Sequence, residues 1–146
     1  MKRILFAGIA LLCVLCSCEK LDIPDLFEKD SLVGTWSVTK QDVSMKGSFL
    51  DRPVDSSDSM ELHNTFITFE KKTGMWESSD SNWEFTYKYN KSSDKLRMKG
   101  EDGKEITAIV DELSARKLVF HYSETGYIFG SEIQQTVKLY CKKSKD

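Results

Sequence analysis

The sequence is poor in the residues that build metal centres and disulfide frameworks. It has two histidines, His63 and His121, and a zinc site needs three or four converging ligands. We therefore interpret both as ordinary strand residues and expect no metal. Three of the four cysteines lie within residues 13–18, and Cys141 stands alone. A secreted domain held by disulfides would spread its cysteines through the fold, so that class is excluded.

Signatures of nucleic-acid binding and of catalysis are also missing. Acidic and basic residues are interspersed, the net charge is −2, and no basic stripe indicates a nucleic-acid partner. There is no Gly-x-Ser-x-Gly elbow for a nucleophilic serine. The carboxylates of residues 55–61 lack the order of a calcium loop. We therefore expect a protein that is not an enzyme and that needs no cofactor.

The longest apolar run, residues 4–15, is too short to span a bilayer but suits the core of a signal peptide. It follows the positive start Met1-Lys2-Arg3 and precedes Leu15-Cys16-Ser17-Cys18. This sequence resembles the lipobox of bacterial lipoproteins. The resemblance implies removal of residues 1–17, lipidation of Cys18 with palmitate-type acyl chains, and attachment to a membrane.

The division of the chain follows from that reading. Residues 18–31 are acidic, contain Pro24 and show only loose apolar spacing, so we interpret them as a lipidated tether. The predicted domain covers residues 32–142, and residues 143–146 form a short tail. The expected location is the bacterial cell envelope, as an outer-membrane lipoprotein on its periplasmic or surface face.

From residue 32 onward, short segments alternate between apolar and polar residues with the period of β-strands. The clearest is Trp83 to Tyr89, in which four aromatic residues share one face. Val43 and Met45 continue the first strand after a slip of one residue, which indicates a bulge. No amphipathic helix is evident. We predict an all-β, eight-stranded antiparallel up-and-down barrel, because closing such a meander removes its exposed edges.

Two stretches are expected to be loops. Residues 46–59 are polar and rich in Asp and Ser, and they form the longest predicted loop. Residues 124–130 carry Tyr127, Ile128 and Phe129 beside glycines. Their apolar side chains are expected either to rim the mouth of the barrel or to fold back over its end.

The first strand opens with Leu32-Val33-Gly34-Thr35-Trp36, which resembles the Gly-x-Trp motif of lipocalins. Together with the aromatic strand 83–89 and the late strands within 106–119, the chain is similar to the lipocalin-like domains of Bacteroidetes-type lipoproteins. The resemblance implies a calycin-like barrel in which Gly34 and Trp36 are structural and Trp36 packs across the closed end. An Arg from a late strand often covers that Trp. Arg116 is the one late Arg, and it precedes its strand.

An eight-stranded barrel either is filled by its own side chains or holds one small ligand. Our principal hypothesis is a small apolar or amphipathic ligand held by inward-facing aromatic residues and one amide. The predicted ligand-binding residues are Trp76, Trp83, Phe85, Tyr87, Tyr89, Phe120 and Gln135. The alternative is a solid scaffold that contacts an envelope protein or glycan through the segments 46–59 and 124–130.

Overall fold

The computed structural model describes residues 31–145, so the predicted signal 1–17, Cys18 and all but the last residue of the tether lie outside the described residues. The described chain forms nine strands. No helix in this part of the chain is long and apolar enough to cross a membrane. The strands are β1 (Gly34–Phe49), β2 (Arg52–Glu61), β3 (Phe66–Phe69), β4 (Thr73–Glu77), β5 (Asn82–Asn90), β6 (Lys95–Gly100), β7 (Glu105–Leu113), β8 (Lys117–Ile128) and β9 (Ser131–Lys143).

The strands close into an antiparallel ring. From β3 to β9 each strand pairs with the next, and β9 pairs with β1. On its other edge β1 pairs first with β3, through residues 34–37, and then with β2, through residues 40–49. Since β2 and β3 follow one another along the same edge, they occupy one position. The predicted eight-stranded up-and-down barrel is thereby confirmed.

The chain leaves strand geometry between β2 and β3, at residues 62–65. The Leu62 N–H donates to the Thr39 carbonyl at 3.0 Å, and the Val38 N–H donates to the Thr65 carbonyl at 2.9 Å. Asn64, at the centre of the break, has a positive φ of 59°, which Asn tolerates better than most residues. Opposite β9, the register of β1 shifts between Val38 and Lys40, close to the predicted bulge.

The prediction that residues 46–59 form a loop is wrong. They belong to a hairpin of β1 and β2, whose tip is Leu50 and Asp51 with φ of 48° and 61°. The segment 124–130 is also mostly strand: β8 continues to Ile128, and a two-residue turn leads into β9. β2 escaped prediction because it is exposed along most of its length. A strand that buries neither face shows no apolar alternation.

The two hairpins lie side by side and project beyond the ring. β7 pairs with β8 only as far as Tyr122, and beyond that level the sheet contains only β2, β1, β9 and β8. We call this part the hairpin extension, comprising residues 43–58 and 122–137. Val43, Val137 and Tyr122 are partners at its base. The extension continues the barrel wall beyond the other strands on one side of the open end.

Inward-facing residues from the ring form one apolar core. In β6 the buried positions alternate with exposed ones, as Leu96 and Met98 illustrate. The same alternation in β7 buries Ile106, Ala108 and Val110. These strands therefore behave as half-buried strands of a closed sheet, with one face solvated.

Candidate ligand site at the open end of the barrel

The barrel is closed at the end where β1 begins. Trp36 is fully buried there, and its indole N–H donates to the carbonyl of Leu32 at 2.8 Å. A buried indole needs such a partner, because an unsatisfied N–H in an apolar core is costly. Leu32 is itself buried. The segment before β1 thus folds across this end and seals it.

Lys143, rather than an arginine, covers Trp36. Its ammonium lies 4.6 Å from the centre of the Trp36 ring and also donates to the carbonyl of Val33. Gly34 has a φ of 126°, and a Cβ at that position would meet the Lys143 side chain at 2.5 Å. Arg116 contributes its backbone carbonyl, which accepts from the Lys143 N–H at 3.0 Å. Lys143 was not predicted, because the lipocalin resemblance implies an arginine over this Trp and residue 143 was assigned to the tail.

Side chains fill the middle of the barrel. Trp76 on β4 contacts Phe120 and Tyr122 on β8, with ring centres 6.4 and 6.5 Å apart and nearly perpendicular planes. Among the eight strand positions of the barrel, β4 and β8 are opposite each other. These contacts therefore cross the full width of the barrel. At this level the interior is therefore packed rather than open. We call Trp76, Phe120 and Tyr122 the aromatic plug.

Two of the predicted ligand-binding residues lie beside the closed end. Tyr87 donates its hydroxyl to the carbonyl of Glu70, and Tyr89 places its hydroxyl 3.3 Å from a carboxylate oxygen of Asp94. Both interactions fasten turns between strands. Phe85 is buried among core rings, 5.7 Å from Phe69. The structure thus places these three side chains in the wall and core.

The remaining predicted residues lie at or above the plug. Phe120 belongs to the plug and is fully buried, whereas Trp76 is only partly buried. Trp83 packs at the rim over Gly100, where a Cβ would collide with the indole. Its N–H donates to Asp102 at 3.3 Å. Gln135 is partly buried and shares the inward face of β9 within the hairpin extension.

Tyr122 is the residue of this region that the predicted set lacks. The alternation of Leu118, Phe120 and Tyr122 was visible in the sequence and already placed all three on one face. Burial, assisted by the negative charge of Glu124, raises the pKa of Tyr122 to about 12. The hydroxyl therefore stays protonated near neutral pH and can donate a hydrogen bond. Tyr122 and Gln135 supply two polar groups beside an apolar floor.

The histidines lie outside this region. His121 is on the outer face of β8, with Nδ1 3.0 Å from Asp111, which also pairs with Lys138 at 3.1 Å. His63 is exposed in the break between β2 and β3. Within residues 31–145, no three histidine, cysteine or acidic side chains are arranged to hold a metal ion.

A closed eight-stranded antiparallel barrel, sealed by a buried Trp under a cation, defines the chain as a lipocalin-like protein. The family model for the lipocalin-like domain matches residues 32–120, which is more than half of the chain. The chain therefore belongs to the lipocalin-like domain family. A search of curated proteins gives no match to this chain.

Proposed function

We propose that this protein binds a small apolar or amphipathic molecule at the open end of the barrel, above the aromatic plug. The observation that carries the proposal is the unequal burial of the aromatic side chains. Trp36 at the closed end is inaccessible, whereas Trp76, Trp83 and Tyr122 each keep part of their surface exposed. Lipocalin-like barrels commonly bind small hydrophobic ligands, and these rings provide an apolar surface for one.

The ligand would lie between the plug and the inner face of the hairpin extension. Val43 and Leu62 pack against the core from that side and extend the apolar surface. The Tyr122 hydroxyl and the Gln135 amide would bind the polar end of an amphipathic molecule. Binding would be shallow, because the plug fills the barrel below it.

A fluorescence titration with a fatty-acid probe, extended to a lipid and glycan panel, tests this site. Trp76→Ala removes the floor, so we expect at least a tenfold weaker Kd, about 1.4 kcal/mol. The matched control is Trp36→Phe at the closed end, which should leave the Kd within twofold. Unchanged affinity in Trp76→Ala, or no binding across the panel, would reject the site.

We propose further that the protein is not an enzyme and that it binds its ligand while anchored to a membrane. Cys18 lies outside the described residues, and its lipidation rests on the apolar run 4–15 and on the Leu15–Cys18 motif. Several acyl chains would anchor the protein firmly, since each buried methylene contributes about 0.8 kcal/mol. We place the protein in the outer membrane of a bacterial envelope. Mass spectrometry of the purified protein should find acyl chains on Cys18, and the Cys18→Ala variant should carry none.

A second candidate function is a scaffold that contacts an envelope protein or glycan. It is favoured by the tips of the hairpin extension, where Phe129 is 92% exposed, Leu50 77% and Tyr127 70%. The rings of Phe49 and Phe129 lie 5.8 Å apart, so the two tips form one apolar surface. A photo-crosslinker at position 129 should then capture one partner in cells, while the same crosslinker at exposed Glu84 captures none.

A further inference from the structure

A groove of about 840 Å³ lies on the outside of the barrel at its closed end. It is bordered by β1, by the turn between β7 and β8, and by β9 with the residues that follow it. Because these segments are far apart in the sequence, the basic run of Lys142, Lys143 and Lys145 shows only part of the groove. Its basic lining residues are Lys40, Arg116, Lys117, Lys142, Lys143 and Lys145.

The groove has a charge opposite to that of the chain. The whole sequence contains 23 acidic and 21 basic residues, yet none of the eleven residues that line the groove is acidic. Composition does not explain this separation. The partly buried side chain of Tyr140 lies among the cations, with the Lys40 ammonium 4.9 Å from its ring centre.

Much of the positive charge in the groove is not neutralised by acidic side chains among residues 31–145. Lys40 pairs with Asp42 at 3.0 Å, and Lys117 with Glu112 at 2.7 Å. Arg116, Lys142 and Lys145 have no carboxylate partner among residues 31–145. Lys117 and Lys142 are also direct partners across β8 and β9, and like charges opposite each other destabilise a sheet. An anion bound between these side chains would relieve that repulsion.

The groove lies beside the point where the chain enters the barrel. The Ser144 N–H donates to the Thr35 carbonyl at 2.9 Å, and Lys143 contacts Val33 and Trp36. Ser31 follows Cys18 by thirteen residues, which reach at most about 45 Å when extended. If Cys18 carries the lipid anchor, the groove is confined to a short distance from the membrane.

We propose that this groove docks on anionic phospholipid, with lipid phosphates bound between Arg116, Lys142 and Lys145. The inference rests on the proposed anchoring for its location, and on the unneutralised charge for its chemistry. Lys and Arg side chains near an anionic membrane strengthen binding about fivefold each. Docking here would hold the closed end against the bilayer and leave the open end pointing away from it.

Hydrogen exchange on the full chain in vesicles tests the docking. The protein, purified from cells that express residues 1–146, is reconstituted into phosphatidylcholine vesicles with and without phosphatidylglycerol. We expect the amides of the 114–117 turn to exchange more slowly in the anionic vesicles only. Raising the salt to about 1 M shortens the Debye length to about 3 Å and should abolish the difference.

Matched charge variants identify the side chains responsible. The triple variant Arg116→Gln, Lys142→Gln, Lys145→Gln should weaken docking about a hundredfold and lose the slower exchange. The control is Lys46→Gln, Arg52→Gln, Lys99→Gln, which removes the same charge from exposed positions outside the groove. It should keep the slower exchange. Equal exchange of the native turn in both kinds of vesicle would overturn the proposal.

Two further arms separate the possible failures. Cosedimentation with neutral vesicles reports the anchor alone, so its absence rejects lipidation while the anionic vesicles still test the groove. Inorganic phosphate without vesicles tests a soluble anion. If phosphate slowed the exchange of the 114–117 amides as much as anionic vesicles do, the assignment of the groove to a membrane would be overturned.

Discussion

Each end of the barrel carries a tryptophan, and the two differ in burial and in the partner of the indole N–H. At the closed end Trp36 is fully buried, its N–H is bonded inside the protein, and Lys143 lies over its ring. At the open end Trp83 is partly exposed, and its N–H reaches an exposed carboxylate of Asp102. The closed end therefore completes the core, whereas the open end leaves part of its aromatic surface exposed.

The difference has a local cause in the chain around each Trp. The residues before Trp36 bend across the end of the barrel, and Gly34 permits this bend with a φ of 126°. The turn from β4 to β5 has only four residues, 78–81, and it does not bury Trp83. The indole instead contacts side chains of the next turn, with Asp102 at its N–H and the Lys104 ammonium 5.3 Å from its ring centre. The segment before Trp36 therefore contributes to its burial, whereas the turn before Trp83 leaves the indole partly exposed.

Cys141 gives the largest expected contrast. Burial raises the pKa of its thiol to about 12, from an ordinary value of 9.0, so the thiolate is about a thousandfold scarcer than in a free thiol. We expect alkylation of Cys141 at pH 8 to be at least a thousandfold slower in the native protein than in denaturant, as measured by mass spectrometry of its peptide. A cysteine placed at exposed Ser79 should react at the free rate. Rapid alkylation of Cys141 would show that the closed end opens readily.

Removal of each Trp is the next largest effect. Trp36→Ala should cost about 3 to 5 kcal/mol of unfolding free energy, because it leaves a cavity in a closed core and an unpaired Leu32 carbonyl. Trp83→Ala should cost less than about 2 kcal/mol, since its ring is already partly hydrated. Denaturant titrations of both variants compare the two ends directly. Equal losses would remove the distinction between them.

The sequence was sufficient to predict the positions of strands that bury one of their two faces. Alternation located β5 closely, and the Gly34–Trp36 motif located the start of the barrel. It was insufficient for β2, where Arg52 to Glu61 is exposed on both faces and therefore carries no periodic signal. Hydrogen bonding to β1 alone makes this segment a strand.

The sequence predicted which strand face each candidate-site residue occupies, but not how far each residue lies from the two ends of the barrel. Alternation shows that Trp83 and Tyr87 face the same way, yet four residue steps separate them by about 13 Å along the strand. That distance places Tyr87 near the closed end and Trp83 at the rim. Whether the interior was filled also depended on Trp76 meeting Phe120 across the ring, a contact between distant strands that no local pattern encodes.

Gly34 provides a smaller test confined to the closed end. Gly34→Ala should destabilise the fold by about 1 to 3 kcal/mol, because φ is positive and the new methyl meets Lys143. The control is Gly126→Ala in the hairpin extension, where a Cβ has nothing within 4 Å. It should change stability by less than about 0.5 kcal/mol. Thermal unfolding of the pair measures both, and an equally harmless Gly34→Ala would mean that the entry segment is not constrained.

The smallest effect on stability should come from the outer face of the barrel, at Asp111. Burial raises the pKa of Asp111, but hydrogen bonds from His121 and Lys138 outweigh it and leave the pKa lowered. The contribution of this carboxylate is therefore present above the unfolded pKa, about 3.9, and is lost as the pH falls through the folded value. Asp111→Asn should cost about 0.5 to 1 kcal/mol at pH 7.

The pH dependence and a matched variant make this prediction specific. The deficit of Asp111→Asn relative to the native protein should disappear at a pH below the folded value, because both side chains are then neutral. Asp80→Asn, on an exposed turn, removes the same charge and should cost nothing measurable at pH 7. Ligand affinity at the open end should be unaffected by either change. A deficit that persists in acid would mean that Asp111 acts through packing rather than through its charge.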